Sequence, residues 1–456
     1  MNTNNDSKLG TAPIFQLMIS LAIPSVIAQL INVLYNIIDR MYIGHIKGVG
    51  DIALTGVGIT LPIIMLISAF SAFVGAGGAP LASIQLGKQN KEKAEKILGN
   101  GTTLLLFFSV TLTILFLFFK EPLLYAFGAS DYTFQYANDY ITIYLFGTVF
   151  VQIALGLNMF ITSQGQAKTA MVSVLIGAVT NIILDPIFIF VFHMGVKGAA
   201  IATITSQAFS ALWVIRFLTS DKSVIRIRIS NMKPDIKIIG AIAALGISPF
   251  IMQATESLIN IVLNRGLQQY GGDLYVGSMT ILQSVMQLVV VPLQGFTQGI
   301  QPMISYNYGA GKFARVEKTY KLTISLTFFI ATIFCIATVS LPTVFANIFT
   351  NNPELIQLIA KVMPIFMAGI WMFGIQMGCQ STFMGLGQAK ISLFIALLRK
   401  VFLLIPLALI LPMFYGVEGI YYAEPISDIT AAAMAALIFF LTRKKILSEN
   451  ALKKLR

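Results

Sequence analysis

The feature that most restricts how this chain can fold is a series of long apolar runs, each able to cross a lipid bilayer. A spanning helix needs ~20 predominantly apolar residues. The runs lie at residues 13–43, 52–83, 94–119, 134–160, 168–192, 198–218, 238–264, 275–305, 319–342, 354–383, 389–411 and 418–442. Because no polar stretch between them is long enough for a separate soluble domain, the sequence predicts an all-α polytopic membrane protein with twelve transmembrane helices.

The composition agrees with this interpretation. Hydrophobic residues make up 56% of the chain and charged residues only 11%, whereas a soluble domain has ~25% charged residues. A water-exposed surface needs charges, so most of this surface is expected to face lipid. The first run is too long for the apolar core of a signal peptide, and we therefore expect it to be a retained helix.

The distribution of Lys and Arg predicts the orientation. With twelve spans, both termini lie on one side of the membrane, and 23 of the 31 Lys and Arg residues fall on that side, in its loops, its termini and the adjoining ends of the spans. The opposite loops hold Lys47, Lys120, Lys197 and Arg265. The excess of positive charge in short loops marks the cytoplasmic side, so both termini are predicted to be cytoplasmic. Topology and contact with anionic membrane lipids explain the net charge of +12, and no nucleic-acid partner is expected.

The chain also repeats itself. Four patches of the first half recur in the same order and at nearly constant spacing in the second half. Among them are Gly165-Gln166-Ala167-Lys168 with Gly387-Gln388-Ala389-Lys390, and Gly195-Val196-Lys197-Gly198 with Gly416-Val417-Glu418-Gly419. We expect an N-lobe at 1–218, a cytoplasmic linker at 219–237, and a C-lobe with the cytoplasmic tail at 238–456. A shift of six helices preserves orientation, so the two homologous six-helix lobes should be related by a pseudo-twofold axis along the membrane normal, which is a transporter architecture. A duplication without transport is the alternative.

Polar residues follow one face of several apolar spans. Span 1 carries Gln29, Asn32, Asn36 and Asp39 at steps of 3, 4 and 3, and span 7 carries Gln253, Glu256 and Asn260 at positions equivalent to the first three. Polar side chains within a membrane usually face the protein interior or water. These residues, together with Gln287 on span 8 and Gln376 on span 10, are therefore our candidates for the wall of a substrate cavity or for coupling.

Deep acidic residues raise the sharpest question. Asn181 and Asp185 stack one turn apart on span 5, and Asp39 lies on span 1. An ionised carboxylate in low dielectric must be paired, protonated or bound to a cation. For Asp39 and Asp185, a structural hydrogen bond and a fixed salt bridge, for instance to Arg40, compete with a titrating or cation-binding role, which the pattern favours.

The remaining acids have simpler alternatives. Glu424 and Asp428 lie one turn apart on span 12, and Arg399 and Lys400 lie within span 11. An ion pair with Arg399 is a good alternative to titration for the two acids of span 12. Glu256 is balanced between structural and functional roles.

Motifs of enzymes are missing from the sequence. There is no glycine-rich phosphate-binding loop with its lysine, and His45 and His193 do not have metal-ligand spacing. Cys335 and Cys379 lie within predicted spans, where we expect apolar packing rather than disulfides. We therefore expect no enzymatic activity and no catalytic residues.

Several of these segments, taken in order, resemble the MATE (multidrug and toxic compound extrusion) transporters over nearly the full chain. The segments are Leu21-Ala22-Ile23-Pro24, Asn36 through Asp39 with Tyr42-Ile43-Gly44, Gly78 through Gly87, Gly165 through Lys168, and Asn181 through Pro186. Each motif is modest by itself, but their order and doubling make the match specific. The segments around Asn181 and Gly195 are most similar to the bacterial multidrug branch.

The resemblance implies a V-shaped pair of lobes that alternates between outward and inward openings. It implies a secondary transporter in the bacterial plasma membrane that exports amphipathic, often cationic organic compounds in exchange for Na⁺ or H⁺. No other cofactor is implied, and we expect a monomer. A flippase of lipid-linked oligosaccharides from the same superfamily is the rival, but such relatives often have fourteen helices and a basic cavity, whereas the deep charges here lean acidic.

The resemblance also carries site residues. In relatives, an N-lobe cation site uses an Asp on helix 1, an Asn and an Asp on helix 5 and a Thr on helix 6, and those places hold Asp39, Asn181, Asp185 and Thr203. These oxygen ligands suit Na⁺ if the protein is sodium-coupled. Pro24 matches a proline at which helix 1 bends, and Glu256 matches an acid used by some members. Gln376 stands where some relatives have an Asp on helix 10, which favours the N-lobe over a C-lobe site built on that acid.

Overall fold

The computed structural model describes residues 4–449. Within this range the chain forms helices joined by short loops, as the apolar runs require, because a backbone in lipid must satisfy its own hydrogen bonds. Three positive charges of the predicted cytoplasmic tail, Lys453, Lys454 and Arg456, lie outside the described residues.

The twelve predicted spans are confirmed, with eleven single helices and one bent pair among the described residues. In chain order they are α1 (Ile14–Gly44), α2 (Gly50–Gly87), α3 (Lys91–Ala126), α4 (Asp131–Phe146 and Thr148–Ser163), α5 (Ala167–Val191), α6 (Gly195–Thr219), α7 (Ile236–Gly271), α8 (Asp273–Gly309), α9 (Phe313–Ser340), α10 (Pro353–Gly385), α11 (Ala389–Tyr415) and α12 (Glu418–Ile446). Several helices extend beyond the apolar runs, because polar residues at their ends continue them out of the membrane.

Side chains cap several of these extended ends. The Asn90 side chain accepts a hydrogen bond from the backbone N–H of Lys93 at the start of α3. Ser130 and Thr133 form a reciprocal capping box at the start of α4. Such caps satisfy N–H groups that have no partner within the helix. They explain why these helices begin a few residues before the apolar runs.

The bend in α4 departs from the prediction of one straight run over 134–160. The two halves of α4 meet at 62° around Gly147. A Cβ atom at this glycine would clash with the side chain of Ile204 on α6. The close approach of α6 therefore requires glycine at the bend, and the second half of α4 is redirected toward the centre of the molecule.

Two other helices change pitch near polar residues. In α5, a π-helical turn at Ile187–Val191 follows Pro186, whose ring removes a backbone donor. In α11, the π-helical segment Leu398–Leu404 carries Arg399 and Lys400. π-helical segments are rare in proteins, and those that occur often lie at functional sites. α1, in contrast, is helical throughout and passes through Pro24 without a break.

The apolar core reflects the two repeated halves. One buried cluster lies wholly within α1–α6 and includes Ile63 and Ile141. Another lies wholly within α7–α12 and includes Leu282 and Met363. A third joins residues of both halves, such as Leu21 with Ile300, so the lobes share a continuous apolar contact.

Glycines allow the two lobes to meet backbone to backbone. A Cβ atom at Gly246 of α7 would clash with the carbonyl oxygen of Phe73 on α2, and one at Gly309 of α8 would clash with that of Ile84. These contacts lie in the halves of α2, α7 and α8 nearest the end of the molecule that carries the described termini. The lobes are therefore closed against each other at that end.

A short N-terminal helix, Asn4–Thr11, lies across this closed end. Its carbonyl groups accept hydrogen bonds from the α8–α9 region: Asn307 donates to Leu9, Lys312 to Gly10, and Arg315 to Ala12, at 2.9, 2.8 and 2.8 Å. Cationic side chains at a helix C-terminus satisfy its free carbonyls and its dipole.

Candidate functional site

A cavity of about 650 Å³ lies between the two lobes. It is within the range of ~300–1,000 Å³ for sites that hold drug-sized molecules. Seven of the predicted cavity residues line it: Gln29, Asn32, Gln253, Glu256, Asn260, Gln287 and Gln376. Equivalent polar faces of both halves thus do meet at one place.

Asn36, the eighth predicted cavity residue, is not among the residues that line the cavity. Its side chain is exposed and donates a 2.7 Å hydrogen bond to the carbonyl of Asn32, one turn back. The neighbouring Leu34 and Ile37 of α1 are 55% and 51% exposed. At this level, therefore, much of the surface of α1 is not packed against neighbouring helices. Helical spacing alone could not predict where that packing ends.

The cavity wall is rich in amide side chains. α8 contributes Gln283, Gln287, Gln294, Gln298 and Gln301. Across the lobes, Nε2 of Gln29 donates a 3.0 Å hydrogen bond to Oε1 of Gln298. Neutral amides offer both donors and acceptors, so this wall can bind varied polar groups without committing to one charge.

Asn158 and Gln380 are among the amides of the cavity wall that were not singled out from the sequence. Nδ2 of Asn158 on α4 donates to the carbonyl of Ala170 at 3.2 Å, and Nε2 of Gln380 on α10 donates to that of Ser392 at 3.0 Å. The register of the internal repeat that aligns Gly165 with Gly387 also aligns these two pairs. The internal repeat is the signal that could have found them.

Three of the four residues predicted for the cation site, Asp39, Asn181 and Asp185, form a buried group in the first lobe apart from the cavity lining, and the fourth, Thr203, is buried on the neighbouring helix α6. Asn181 and Asp185 on α5 are fully buried, while Asp39 on α1 and Thr203 on α6 are each 8% exposed. Nδ2 of Asn181 donates a 3.2 Å hydrogen bond to Oδ1 of Asp185. The carboxyl groups of Asp39 and Asp185 lie within hydrogen-bonding reach of each other.

Three oxygens of this group have no hydrogen-bond donor among the described residues: Oδ1 of Asp39, Oδ1 of Asn181 and Oδ2 of Asp185. Buried polar atoms are normally paired, so an unmatched set is unusual. Carboxylate and amide oxygens are ligands that hard cations prefer. The residues present therefore fit a bound Na⁺, or a proton shared between the two carboxyl groups.

Neither a salt bridge nor a transition-metal site accounts for this group. The suggested salt bridge between Asp39 and Arg40 is not among the ion pairs of the described residues, and Arg40 is exposed. No group of three or more His, Cys, Asp or Glu that could hold a metal ion occurs in the part of the chain described. Two carboxyl groups with a neutral amide oxygen form an all-oxygen set, which is the kind of ligand set that hard cations prefer.

Tyr35 and Gln207 separate this position from the cavity. Both line the cavity, and the Tyr35 hydroxyl lies within hydrogen-bonding reach of Gln207. Tyr35 also faces the charges of Asp39 and Asp185. A change at the two acids can thus reach the cavity through one layer of side chains. Neither Tyr35 nor Gln207 was predicted from the sequence. Helical spacing was the signal that could have found them, because Tyr35 lies one turn from Asn32 and Asp39, and Gln207 lies one turn from Thr203.

The second lobe presents charges of both signs. Arg399 binds Glu424 through Nη2 at 2.8 Å and Asp428 through Nε at 2.6 Å. The ion pair considered for these acids is therefore present. Lys400 pairs with Glu256 of α7 and also donates to the carbonyl of Met252 at 3.2 Å.

Two repeated six-helix lobes around a polar cavity define a multi-pass membrane transporter rather than an enzyme. The family model described as MatE matches residues 24–187 and again residues 249–410. The chain therefore belongs to the MATE transporter family. The double match also agrees with the internal repeat.

Curated relatives and solved structures agree. The multidrug export protein MepA of Staphylococcus haemolyticus (strain JCSC1435) is 25% identical over 439 residues, which are 96% of each chain. MepA of Staphylococcus aureus (strain N315) is 25% identical over 95% of each chain. A crystal structure of a MATE protein in the bent conformation superposes with a TM-score of 0.89 at 25% identity, covering 99% of both chains.

Proposed function

We propose that this protein exports amphipathic, cationic organic compounds across the bacterial plasma membrane in exchange for Na⁺ or H⁺. The relatives that carry the name multidrug export protein match it over nearly its full length. The inter-lobe cavity has the size for such compounds, and its amide-rich wall suits a varied set of them.

The observation that carries the antiport proposal is the set of unmatched oxygens on Asp39, Asn181 and Asp185. Leaving buried acceptors without donors costs ~1–3 kcal/mol each. A cation or proton bound there would remove that cost. The fold maintains this arrangement on two helices, which favours a site that is filled during each cycle.

Coupling follows from the placement of α1. This helix carries Asp39 in the buried group and Gln29 in the cavity wall, where Gln29 bonds to the other lobe. Cation binding at Asp39 and Asp185 would shift α1 and lower the affinity of the cavity for substrate in the state open to the outside. Such coupling requires different affinities for the two states.

Orientation completes the cycle. With both termini in the cytoplasm, as the charge distribution predicts, the closed end of the lobes faces inward. The described arrangement then corresponds to a state that releases substrate outward. The opposite state requires the glycine contacts between α2, α7 and α8 to separate. We expect the protein to do this as a monomer in contact with anionic lipid.

The flippase alternative is weaker. A pyrophosphate headgroup needs free cationic side chains, and the two cations of the cavity wall, Arg399 and Lys400, are both paired with acids. The carboxyl groups of Asp39 and Asp185, by contrast, are in no ion pair among the described residues, and the charged groups around Arg399 and Lys400 include one more acid than cations. This balance favours a cationic substrate over an anionic one.

Reconstituted liposomes would test the proposal. Protein-bearing vesicles with an imposed Na⁺ or H⁺ gradient should move a fluorescent organic cation against its gradient. Asp39→Asn and Asp185→Asn should each abolish gradient-driven movement, whereas Asp51→Asn, an exposed acid at the start of α2, should not. Normal coupling in both site variants would exclude these carboxyl groups as the coupling site.

A further inference from the structure

The second lobe holds a buried charge cluster between α11 and α12 that differs from a surface ion pair. The side chains of Arg399, Glu424 and Asp428 are 6%, 9% and 2% exposed. The guanidinium also stacks over the ring of Phe373 on α10, at 4.6 Å from its centroid. One guanidinium thus bridges two carboxylates in a nearly buried site at the edge of the cavity.

The internal repeat relates this cluster to the cation group of the first lobe. The register that aligns Gly195 with Gly416 places Glu424 at the position of Thr203. It also aligns the identical pair Ser206 and Ser427. The same register places Asp428 at the position of Gln207. The acids of α12 therefore occupy the places that, on α6, border the buried group of the first lobe.

The internal repeat also relates α11 of the second lobe to α5 of the first. The register that aligns Lys168 with Lys390 places Arg399 at the position of Gly177, one turn before Asn181. The positions equivalent to Asn181 and Asp185 are Leu403 and Leu407. In the first lobe, the earlier helix of the pair therefore carries an acid, Asp185, and has a glycine where the second lobe has Arg399. The second lobe has acids on the later helix and a cation on the earlier one.

The unmatched oxygens differ accordingly. In the first lobe, oxygens of Asp39, Asn181 and Asp185 have no donor among the described residues, whereas none of the carboxyl oxygens of Glu424 and Asp428 is in that group. An arginine side chain stays protonated under all physiological conditions. It cannot dissociate from the site as a free cation can.

We propose that Arg399 is a tethered cation that permanently fills the second lobe's counterpart of the exchangeable cation site. The pair of helices α11 and α12 then keeps one arrangement through the cycle. Coupling cations enter and leave through the first lobe alone. The coupling part of this inference rests on the antiport proposed above, while the occupancy part does not.

The neighbouring pair fits this assignment. Lys400 lies next to Arg399 in the π-helical segment and is bound to Glu256 and to the carbonyl of Met252. Met252 and Glu256 flank Thr255, at which α7 is divided into Ile236–Ala254 and Glu256–Gly271. The cluster and this neighbouring pair together contain two cations, Arg399 and Lys400, and three acids, which lie on α7 and α12. Most of the acidic charge of this lobe is met by side chains of the chain itself.

The first test compares coupling ratios. In liposomes with a fixed gradient of the coupling cation, the substrate gradient is varied until the net substrate flux reverses. The substrate gradient at that point, compared with the cation gradient, gives the number of cations moved per substrate. The charge-free variant Arg399→Met/Glu424→Gln/Asp428→Asn should keep the wild-type ratio, whatever its rate, because no exchangeable cation has been lost. Replacing a buried ion cluster by uncharged side chains of similar size is often tolerated, so this variant is expected to fold. A lower ratio would overturn the proposal.

The second test creates the missing site. Arg399→Gln leaves Glu424 and Asp428 without their cation, and the ratio should rise by about one cation per substrate, because two close carboxyl groups hold a proton or bind a cation. An unchanged ratio in a folded, transporting Arg399→Gln protein would also overturn the proposal. If this variant does not fold, the charge-free variant decides.

A binding measurement separates failure of this inference from failure of antiport. In purified protein carrying Asp39→Asn, thermal unfolding should respond little to Na⁺ at constant ionic strength or to protons near neutral pH. Adding Arg399→Gln should restore a response, and adding the charge-free substitutions should not. Equal responses in the two combinations would refute the tethered-cation role even if the protein proved not to be an antiporter.

Discussion

Nε2 of Gln29 donates a 3.0 Å hydrogen bond to Oε1 of Gln298, and this bond joins α1 of the first lobe to α8 of the second inside the cavity wall. Because the two residues lie in different lobes, the bond must break when the lobes separate at this level. In the alternation proposed above, it therefore contributes to the balance between the two states.

The first prediction concerns this bond. Gln29→Leu and Gln298→Leu should each favour the state in which the closed end opens. A double-mutant cycle should give a coupling energy of ~0.5–1.5 kcal/mol, which is typical of one hydrogen bond. The measurement is the distance distribution between spin labels on the α2–α3 and α8–α9 loops. Strictly additive effects would show that the bond does not contribute to closure.

A second prediction uses the glycine contacts between the lobes. Gly246→Ala places a Cβ against the carbonyl of Phe73 and should destabilise the closed arrangement by ~1–3 kcal/mol, the usual cost of overpacking. Gly240→Ala on the same helix meets no atom within 4 Å and is the matched control. Spin-label distances should lengthen for the first variant only. Equal spin-label distances in the Gly246→Ala and Gly240→Ala variants would show that the contact between Gly246 and Phe73 does not hold the lobes closed.

A third prediction follows from unequal burial in the pair of Lys400 and Glu256. The lysine side chain is 8% exposed, but that of the glutamate is 43% exposed toward the cavity. Glu256→Gln leaves a buried cation unpaired and should cost ~3 kcal/mol. Lys400→Met leaves an acid that cavity water can solvate and should cost ~1 kcal/mol or less. Denaturant or thermal unfolding would rank the variants, and the reverse order would show that Lys400 does not depend on Glu256.

The N-terminal helix provides a fourth prediction. Arg315 donates to the Ala12 carbonyl at 2.8 Å and holds the end of this helix to the second lobe. Arg315→Gln should increase amide hydrogen exchange in residues 8–12 by about tenfold, the equivalent of ~1.4 kcal/mol. Lys318 is an exposed residue on α9, the helix that carries Arg315, and Lys318→Gln should leave the amide exchange of residues 8–12 unchanged. Similar exchange in both variants would show that the capping bonds do not hold the helix.

Much of the fold was predictable from the sequence because membrane solvation leaves few choices. Apolar runs of the right length must become helices, and the repeated motifs indicated two lobes in the same orientation. The bend of α4 at Gly147 was not predictable, since it depends on contact with Ile204 of α6. That contact is between helices and leaves no mark in the periodicity of either run.

The candidate site was partly predictable for a similar reason. Helical spacing placed Asn181 and Asp185 together on one face and singled out Asp39 on span 1. The resemblance to MATE transporters joined Asp39 to that pair and added Thr203. Spacing could not indicate that Asn36 is exposed or that Lys400 binds Glu256. Both facts depend on how helices cross, and the π-helical segment of α11 changes which residues face α7.

If the acids of the first lobe couple the two fluxes, cation movement must accompany substrate movement in the opposite direction. The most direct measurement loads liposomes with an organic cation and records Na⁺ or H⁺ flux as that cation leaves, with no ion gradient imposed. We predict opposite ion flux in proportion to substrate flux, and none with Asp39→Asn. Substrate efflux without ion movement, or ion movement that Asp39→Asn does not change, would contradict the account.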